Sequence, residues 1–349
     1  MPYHLRLTDE DLLRCRFALS PLWETQEAVR TLGRPDRHGY HVPWLRRARR
    51  AARGLDLAPF RLLMPRRGHS PDFMGPPPIG PAATFDEEIA RVRGADPEAA
   101  RADLAMALAD TPGALRSPEG RALLADPART IQHLADLLEA AWQVLIAPDW
   151  PRLRALLEAD VAFHSRRLAS VGLGALLPEL DRRISLSGRL LTVAGKPDHG
   201  RDLDGGGLVL MPSVFSWPDV VSGFEPPWQP TLVYPARGLA GLWAAPGDRT
   251  PDALATLGRL LGRGRAAVLA ALDEPATTSA LAHRLGLAPS SVSAHLTTLR
   301  ASGLLLSRRY GHQVHYERTP LGSALLAESG AMDAMDNEGG EGVMGGAGG

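Results

Sequence analysis

Residues 281–317 read LAHRLGLAPSSVSAHLTTLRASGLLLSRRYGHQVHYE, and this stretch decides the fold of the C-terminal part of the chain. Its first residues predict a short amphipathic helix that is capped by Thr277 or Thr278. Gly286 ends this helix, because glycine adopts the left-handed conformation of a helix C-terminus at little cost. Pro289 begins a second helix, since proline suits the first helical turn.

The second helix is predicted to have an apolar stripe and a polar face. Val292, Leu296 and Leu299 recur at spacings of four and three residues, so they pack inward together. The major groove of DNA admits one helix, and small polar side chains let that helix lie close to the bases. The predicted DNA-binding residues in and before this helix are Thr278, Pro289, Ser290, Ser291, Ser293, Ala294, His295, Thr297 and Arg300.

The residues after Gly303 predict a β-hairpin. Two β-prone runs flank the sequence Tyr310-Gly311-His312-Gln313, which has the layout of a hairpin turn. Arginines at the tip of such a hairpin suit phosphates or the minor groove, where they set the register of the protein on DNA more than they read sequence. The predicted DNA-binding residues of this hairpin are Arg308, Arg309, His312 and Gln313.

The residues before Thr277 predict one more helix of the same domain. Residues 259–272 read RLLGRGRAAVLAAL, and their apolar residues fit a single helix despite Gly262 and Gly264. Pro275 follows and stops it. Leu287, in the turn between the two later helices, is expected to be buried.

Charge is concentrated in this part of the chain. The 349 residues have a formal net charge of zero, which indicates no class of partner for the chain as a whole. Between Arg259 and Thr319, however, eight arginines stand against three acidic residues, together with four histidines. A local excess of positive charge on a helix-turn-helix is typical of a protein that binds nucleic acid.

The order of short helix, glycine turn, S-x-x-S-x-H-L-x-x-L helix and arginine-bearing hairpin resembles the winged helix of the ArsR family of bacterial repressors. The resemblance extends from Leu260 to Glu317. It implies base contacts from Ser290, Ser291, Ser293 and Thr297, and it places His295 at the family's usual histidine. It also implies a homodimer on an inverted repeat of double-stranded DNA, as two-fold symmetry predicts.

Two departures from the family pattern concern metal sensing. The metal-sensing members carry cysteines on the first short helix of the motif, where this chain reads ATTSA at residues 276–280. The other metal arrangement needs a histidine after the hairpin, and TPLGSALLAES at residues 319–329 has none. We therefore expect no metal at these sites.

Residues 1–250 are predicted to form a separate α+β region for dimerisation, effector sensing or both. N-cap signals at Thr8 and Ser20 and repeated turn signals predict helices to about residue 180, and β-prone runs at 184–245 predict a small, mostly antiparallel sheet. Such a layout resembles actinobacterial regulators with a long N-terminal region of unknown function. Pro246-Gly247-Asp248 is the predicted linker.

The predicted fold class is α+β and mostly helical, with a large N-terminal α+β region followed by a C-terminal winged helix-turn-helix. The expected domains are residues 1–250, a DNA-binding domain at 251–330 and a disordered glycine-rich tail at 331–349.

Several function classes lack support in the sequence. The chain has one cysteine, no apolar signal core and no run of about 18 apolar residues, so we expect a cytoplasmic protein without membrane spans or disulfides. It has no G-x-S-x-G, H-E-x-x-H or P-loop pattern, and we expect neither enzyme activity nor a cofactor.

Alternative interpretations remain open at this stage. In one interpretation the winged helix binds a protein partner, and in another the chain is an enzyme with an appended DNA-binding domain. His295 is either a phosphate contact or a residue at the edge of the core. The stretch Phe215 to Trp228 is either core or a pocket for an apolar effector, and the arginine run at 46–53 is either a second nucleic-acid contact or a solvated helix face.

Overall fold

The structure, a computed structural model, describes residues 3–34, 39–65, 68–195, 199–223, 226–243 and 251–326. The chain divides into two compact units. Unit 1 consists of Met1–His38 and Leu45–Ala236, and unit 2 of Gly39–Trp44 and Arg237–Gly349. The predicted linker at 246–248 and the predicted tail at 331–349 lie outside the described residues.

Helices form most of unit 1 up to residue 180. They are α1 (Asp9–Leu13), α2 (Pro21–Gly33), α3 (Val42–Ala51, which begins in unit 2), α4 (Ala58–Leu63), α5 (Phe85–Arg93), α6 (Pro97–Ala109), α7 (Pro118–Ala125), α8 (Pro127–Ala141) and α9 (Trp150–Leu180). The two predicted starts are confirmed, since Thr8 forms a capping box with Asp11 and the Ser20 hydroxyl accepts the Trp23 N–H. Gly172, at a φ of 75°, breaks α9.

Two four-stranded sheets complete unit 1. The strands are β1 (Tyr3–Arg6), β2 (Arg16–Phe17), β3 (Ile184–Ser187), β4 (Leu190–Val193), β5 (His199–Asp202), β6 (Val209–Ser213), β7 (Val221–Gly223) and β8 (Thr231–Pro235). One sheet has the order β3-β4-β1-β5 and the other β2-β6-β8-β7. The first packs against the end of α9 in a core that includes Leu5, Leu177, Leu180 and Leu191.

The prediction of one small, mostly antiparallel sheet at 184–245 was wrong in two respects. Each sheet takes a strand from the N-terminal end of the chain, and each contains parallel pairs, namely β1 with β5, β2 with β6 and β6 with β8. Every residue of β6 and of β8 is buried. Strands covered on both faces lack the polar and apolar alternation of a half-exposed sheet, and this burial is typical of parallel pairing.

Unit 2 contains the predicted winged helix. Its elements are α10 (Pro251–Leu261), α11 (Arg263–Ala270), β9 (Ala276–Thr277), α12 (Thr278–Leu285), α13 (Pro289–Ala301), β10 (Leu305–Tyr310), β11 (Gln313–Arg318) and a last helical stretch at 320–326. The strands form one antiparallel sheet in the order β10-β11-β9. The predicted fold class, a large α+β region followed by a winged helix-turn-helix, is confirmed.

Two local predictions in unit 2 were wrong. The single helix expected at 259–272 is broken into α10 and α11 at Gly262, whose φ of 87° does not occur within a helix. Leu287, expected to be buried, is 37% exposed. Its backbone N–H still closes the turn by donating to the Ala282 carbonyl at 3.0 Å, so the turn is held by the main chain and by Gly286.

Within the described ranges, no helix is both long and apolar enough to cross a membrane. The same residues place no group of three or more His, Cys, Asp or Glu side chains where a metal ion could be held.

A buried carboxyl group joins helix and sheet in unit 1. Glu24 of α2 is 1% exposed, and its carboxyl oxygens accept the backbone N–H groups of Val214 and Phe215 just after β6. Burial nevertheless raises the pKa of Glu24 to about 8, because the apolar surroundings disfavour the charged form. Burial likewise raises the pKa of Glu88 to about 7.

We predict that the stability of unit 1 decreases as the pH rises from about 4.5 to about 8. In this window the folded state keeps the Glu24 proton while the unfolded state releases it, so the folded state is favoured at the lower pH. Glu24→Gln should therefore flatten the pH dependence of the free energy of unfolding, measured by urea titration. Exposed Glu119 supplies the control, since Glu119→Gln should keep the wild-type slope. A wild-type slope in Glu24→Gln would contradict the prediction.

Candidate nucleic-acid interface

Helix α13 presents its predicted polar face to solvent. Val292, Leu296 and Leu299 are at most 1% exposed and pack into the core of unit 2, which confirms the predicted apolar stripe. Apart from half-buried His295, the rest of the helix surface is exposed. The exposed predicted DNA-binding residues of α13 are Pro289, Ser290, Ser291, Ser293, Ala294, Thr297 and Arg300.

The helix-turn-helix is held by local hydrogen bonds. Thr277, rather than Thr278, caps α12, because its hydroxyl accepts the Ala280 N–H at 3.2 Å. Thr278 is the first residue of α12 and is half-buried. Gly286 ends this helix in the left-handed conformation, at φ 63° and ψ 32°, as predicted. The two helices are thereby fixed at their junction by backbone geometry.

His295 lies against α11. A Cβ atom placed on Gly264 would come within 2.5 Å of the His295 Nε2 atom, so the imidazole occupies the space that a side chain at residue 264 would need. His295 is half-buried. This position supports the interpretation of His295 as a residue at the edge of the core, and its contact with DNA stays a prediction.

The two predicted DNA-binding arginines of the β10–β11 hairpin lie in different environments. Arg308 is half-buried, and its Nε atom lies 2.9 Å from the Glu317 Oε1 atom in an ion pair. Arg309 is exposed, as are His312 and Gln313, and its Nε–H donates to the Gly311 carbonyl at 3.0 Å. Arg309, His312 and Gln313 therefore form the exposed tip, whereas Arg308 has a partner within the hairpin.

The base of the hairpin is built around Arg318. This residue is 3% exposed, and its guanidinium donates to the Asp273 Oδ1 atom at 2.7 Å and to the Ala240 carbonyl at 3.3 Å. The carbonyl of Arg318 accepts the Tyr40 hydroxyl at 2.6 Å. Burial raises the pKa of Tyr40, so its hydroxyl stays protonated and able to donate.

Residues 39–44 and 237–243 thus belong to the winged-helix unit. The Trp243 indole N–H donates to the His41 Nδ1 atom at 2.9 Å, and the Trp44 and Trp243 rings stack with centroids 6.2 Å apart. The Arg237 guanidinium lies 5.1 Å from the centre of the Tyr310 ring. Sequence reasoning missed this cluster, because no local pattern places a segment near the N-terminus beside a hairpin near the other end of the sequence.

The structure supports the plainer interpretation of two other features. Phe215 is fully buried, and half-buried Trp228 packs against a cluster of Trp23, Met211 and Val233, so these two aromatic residues contribute to the core, while Phe224 lies outside the described residues. The predicted run of arginines at 46–53 is exposed on and after α3, as expected of a solvated face.

Comparison with known families finds a match in each part of the chain. Residues 264–308 match a family described as a helix-turn-helix domain, and residues 81–240 match a family of unknown function (DUF5937). No curated protein and no solved structure matches the chain. The C-terminal unit therefore carries a helix-turn-helix of the kind found in DNA-binding regulators.

We predict that Tyr40→Phe destabilises the hairpin base. The substitution removes the hydroxyl that binds the Arg318 carbonyl and leaves this buried acceptor without that donor, at a cost of about 1–3 kcal/mol. Hydrogen exchange of the β11 amides should become faster, and the free energy of unfolding of the full chain should fall. Tyr316→Phe on the same strand is the control, because the Tyr316 hydroxyl has no hydrogen bond to any described residue. Equal exchange in both variants would refute a role for Tyr40.

Proposed function

We propose that the chain is a homodimeric transcriptional repressor of ArsR type whose winged helix binds duplex DNA of defined sequence. The exposed polar face of α13, beside a hairpin with an exposed arginine at its tip, is the observation that carries the proposal. In this assignment α13 lies in the major groove and the hairpin tip contacts the backbone or the minor groove. Occlusion of a promoter is the simplest route to repression.

The distribution of arginines supports phosphate contacts. Arg308 and Arg318 are committed to carboxylates within unit 2. Exposed arginines include Arg284 in the last turn of α12, Arg300 on α13 and Arg309 on β10. Arg284, which the sequence did not single out, donates to the Ala271 carbonyl at 2.6 Å and so has a fixed position. Fixed and exposed cations favour binding to a phosphate backbone.

Exposed leucines support the homodimer. Leu254 and Leu260 of α10 are 41% and 71% exposed, and Leu321 in the last helical stretch is 59% exposed. A contiguous apolar patch favours association with another molecule, and these three leucines are among the exposed apolar side chains of unit 2 that a dimer interface would use. A second copy is the simplest partner, because a two-fold dimer matches an inverted repeat in the DNA.

The proposal gives unit 1 a regulatory role and no catalytic step. The sequence lacks the hydrolase, zinc-protease and P-loop patterns, and the chain carries a helix-turn-helix instead. A ligand of unit 1 would regulate by binding the DNA-competent and the DNA-incompetent forms with different affinity.

We predict that Ser293→Glu strongly weakens specific DNA binding and leaves the fold intact. A carboxylate on the exposed face of α13 would lie against the negatively charged groove, so the affinity should fall by about tenfold or more, or about 1.4 kcal/mol. Gel shifts on fragments selected from the native genome would measure it, with circular dichroism on the same samples.

Ser170→Glu is the matched control for this test, because Ser170 is exposed on α9 in unit 1 and the substitution adds the same charge. Full binding by folded Ser293→Glu protein would refute α13 as the recognition helix. Equal wild-type affinity for selected and random duplexes would refute sequence-specific regulation and favour a winged helix that binds a protein partner.

We further predict different effects for the two arginines of the hairpin. Arg309→Ala should reduce the slope of log affinity against log salt concentration by about 1, as expected for the loss of one phosphate contact. Arg308→Ala should leave this slope unchanged and lower stability, because the Arg308 guanidinium pairs with Glu317. Exposed Arg129 of α8 is the charge-matched control. Equal slopes in wild-type and Arg309→Ala protein would remove the hairpin tip from the interface.

A further inference from the structure

Three aromatic rings line a pocket in unit 1. The rings of Phe85 and Trp142 stack with centroids 4.7 Å apart and planes within 6° of each other. Trp150 meets Trp142 edge-on, at 5.5 Å and 68°. Phe85 is buried, whereas both tryptophans keep part of their surface exposed toward a pocket of about 340 Å³. This volume suits a ligand of one or two rings.

A π-helical turn of the backbone positions both tryptophans. Residues Trp142–Ile146 form a π-helix between α8 and α9, and the Ala147 N–H donates to the Trp142 carbonyl at 2.8 Å. Single π-turns within helical segments occur frequently at functional sites. Trp150 then begins α9, shortly after the π-turn ends. The irregular turn therefore falls where the pocket wall is formed.

Phe85 is fixed from the other side of the pocket. It is the first residue of α5, and a reciprocal capping box between Thr84 and Glu87 holds the start of that helix. The pocket is thus lined by ring faces at rigid positions, which lowers the entropy lost when a ligand binds.

The polar groups of the pocket define the charge of the ligand. Gln143, Asp86 and Arg154 are exposed lining residues. Arg154 pairs with Glu158 at 2.8 Å, but both side chains are about half exposed, and such surface pairs hold their partners weakly. A guanidinium binds a carboxylate with two parallel hydrogen bonds. Asp86 disfavours a ligand with several negative charges.

We propose that this pocket binds a planar aromatic monocarboxylate, whose ring packs on Trp142 and Trp150 and whose carboxylate replaces Glu158 as the partner of Arg154. Aromatic rings bind one another through stacked and edge-on contacts, which a saturated ring of equal size does not reproduce. Regulation of DNA binding by such a ligand rests on the proposed function, whereas the presence of the binding site does not.

The test uses the full chain with 5-fluorotryptophan and 2-naphthoate as the probe. Fluorine NMR should shift the signals of Trp142 and Trp150 and leave those of the other five tryptophans in place, with each signal assigned by substitution with phenylalanine. Decahydro-2-naphthoate, which has the carboxylate without the aromatic ring, should bind at least about tenfold more weakly.

Substitution of the guanidinium tests the charged contact. Arg154→Gln should lower the affinity for 2-naphthoate by about tenfold and leave the affinity for uncharged 2-naphthylmethanol unchanged. Arg129→Gln should change neither affinity. Because Arg154 is exposed, this variant is expected to fold even if replacement of Trp142 does not. Equal affinity for the planar and saturated acids, or shifts confined to Trp217 and Trp228, would overturn the proposal, as would the absence of binding.

The proposal and the proposed function can fail separately. Unchanged DNA binding in saturating 2-naphthoate, with the two fluorine signals shifted, would refute regulation through this ligand class and leave the site intact. Intact specific DNA binding without any naphthoate binding would refute the site and leave the DNA-binding function intact.

Discussion

The winged-helix unit depends on the buried guanidinium of Arg318. A buried cation is tolerated only when it is paired and hydrogen-bonded, and Asp273 and the Ala240 carbonyl supply these partners. The carbonyl of Arg318 also accepts a hydrogen bond from the Tyr40 hydroxyl. One position at the end of β11 thereby ties together the segments at 39–44 and 237–243 and the turn before β9. The hairpin is thereby held at its base, while its tip stays exposed.

Ion pairs also give the arginines of unit 2 different roles. Arg308 and Arg318 each balance a carboxylate inside unit 2, so they contribute to the fold, while Arg309 extends from the exposed tip. A count of arginines in the sequence treats these residues alike. Because each of these two pairs cancels, the local excess of positive charge is unchanged, but it is carried by arginines other than Arg308 and Arg318.

Local signals were sufficient to predict the elements but not their partners. Helix starts at Thr8 and Ser20, the glycine turn at Gly286 and the polar face of α13 follow from spacing and capping, which involve residues within one or two turns. The two mixed sheets pair strands from the beginning of unit 1 with strands near its end, and the pairing of Arg308 with Glu317 depends on cross-strand packing. The break at Gly262 was missed because a glycine is compatible with both a helix and a left-handed turn. The aromatic pocket was missed because its rings come from separate helices.

The chain passes between the two units three times. The chain enters unit 2 at Gly39, leaves it after Trp44 and enters it again at Arg237. Two of these passages lie beside a residue that contacts the hairpin, since Tyr40 binds its base and Arg237 lies over Tyr310 at the end of β10, whereas Trp44 stacks on Trp243. Helix α3 begins at Val42 in unit 2 and ends at Ala51 in unit 1, so this one helix belongs to both units. Tyr40 and Arg237, which contact the hairpin, each lie within two residues of a point where the chain passes from one unit to the other.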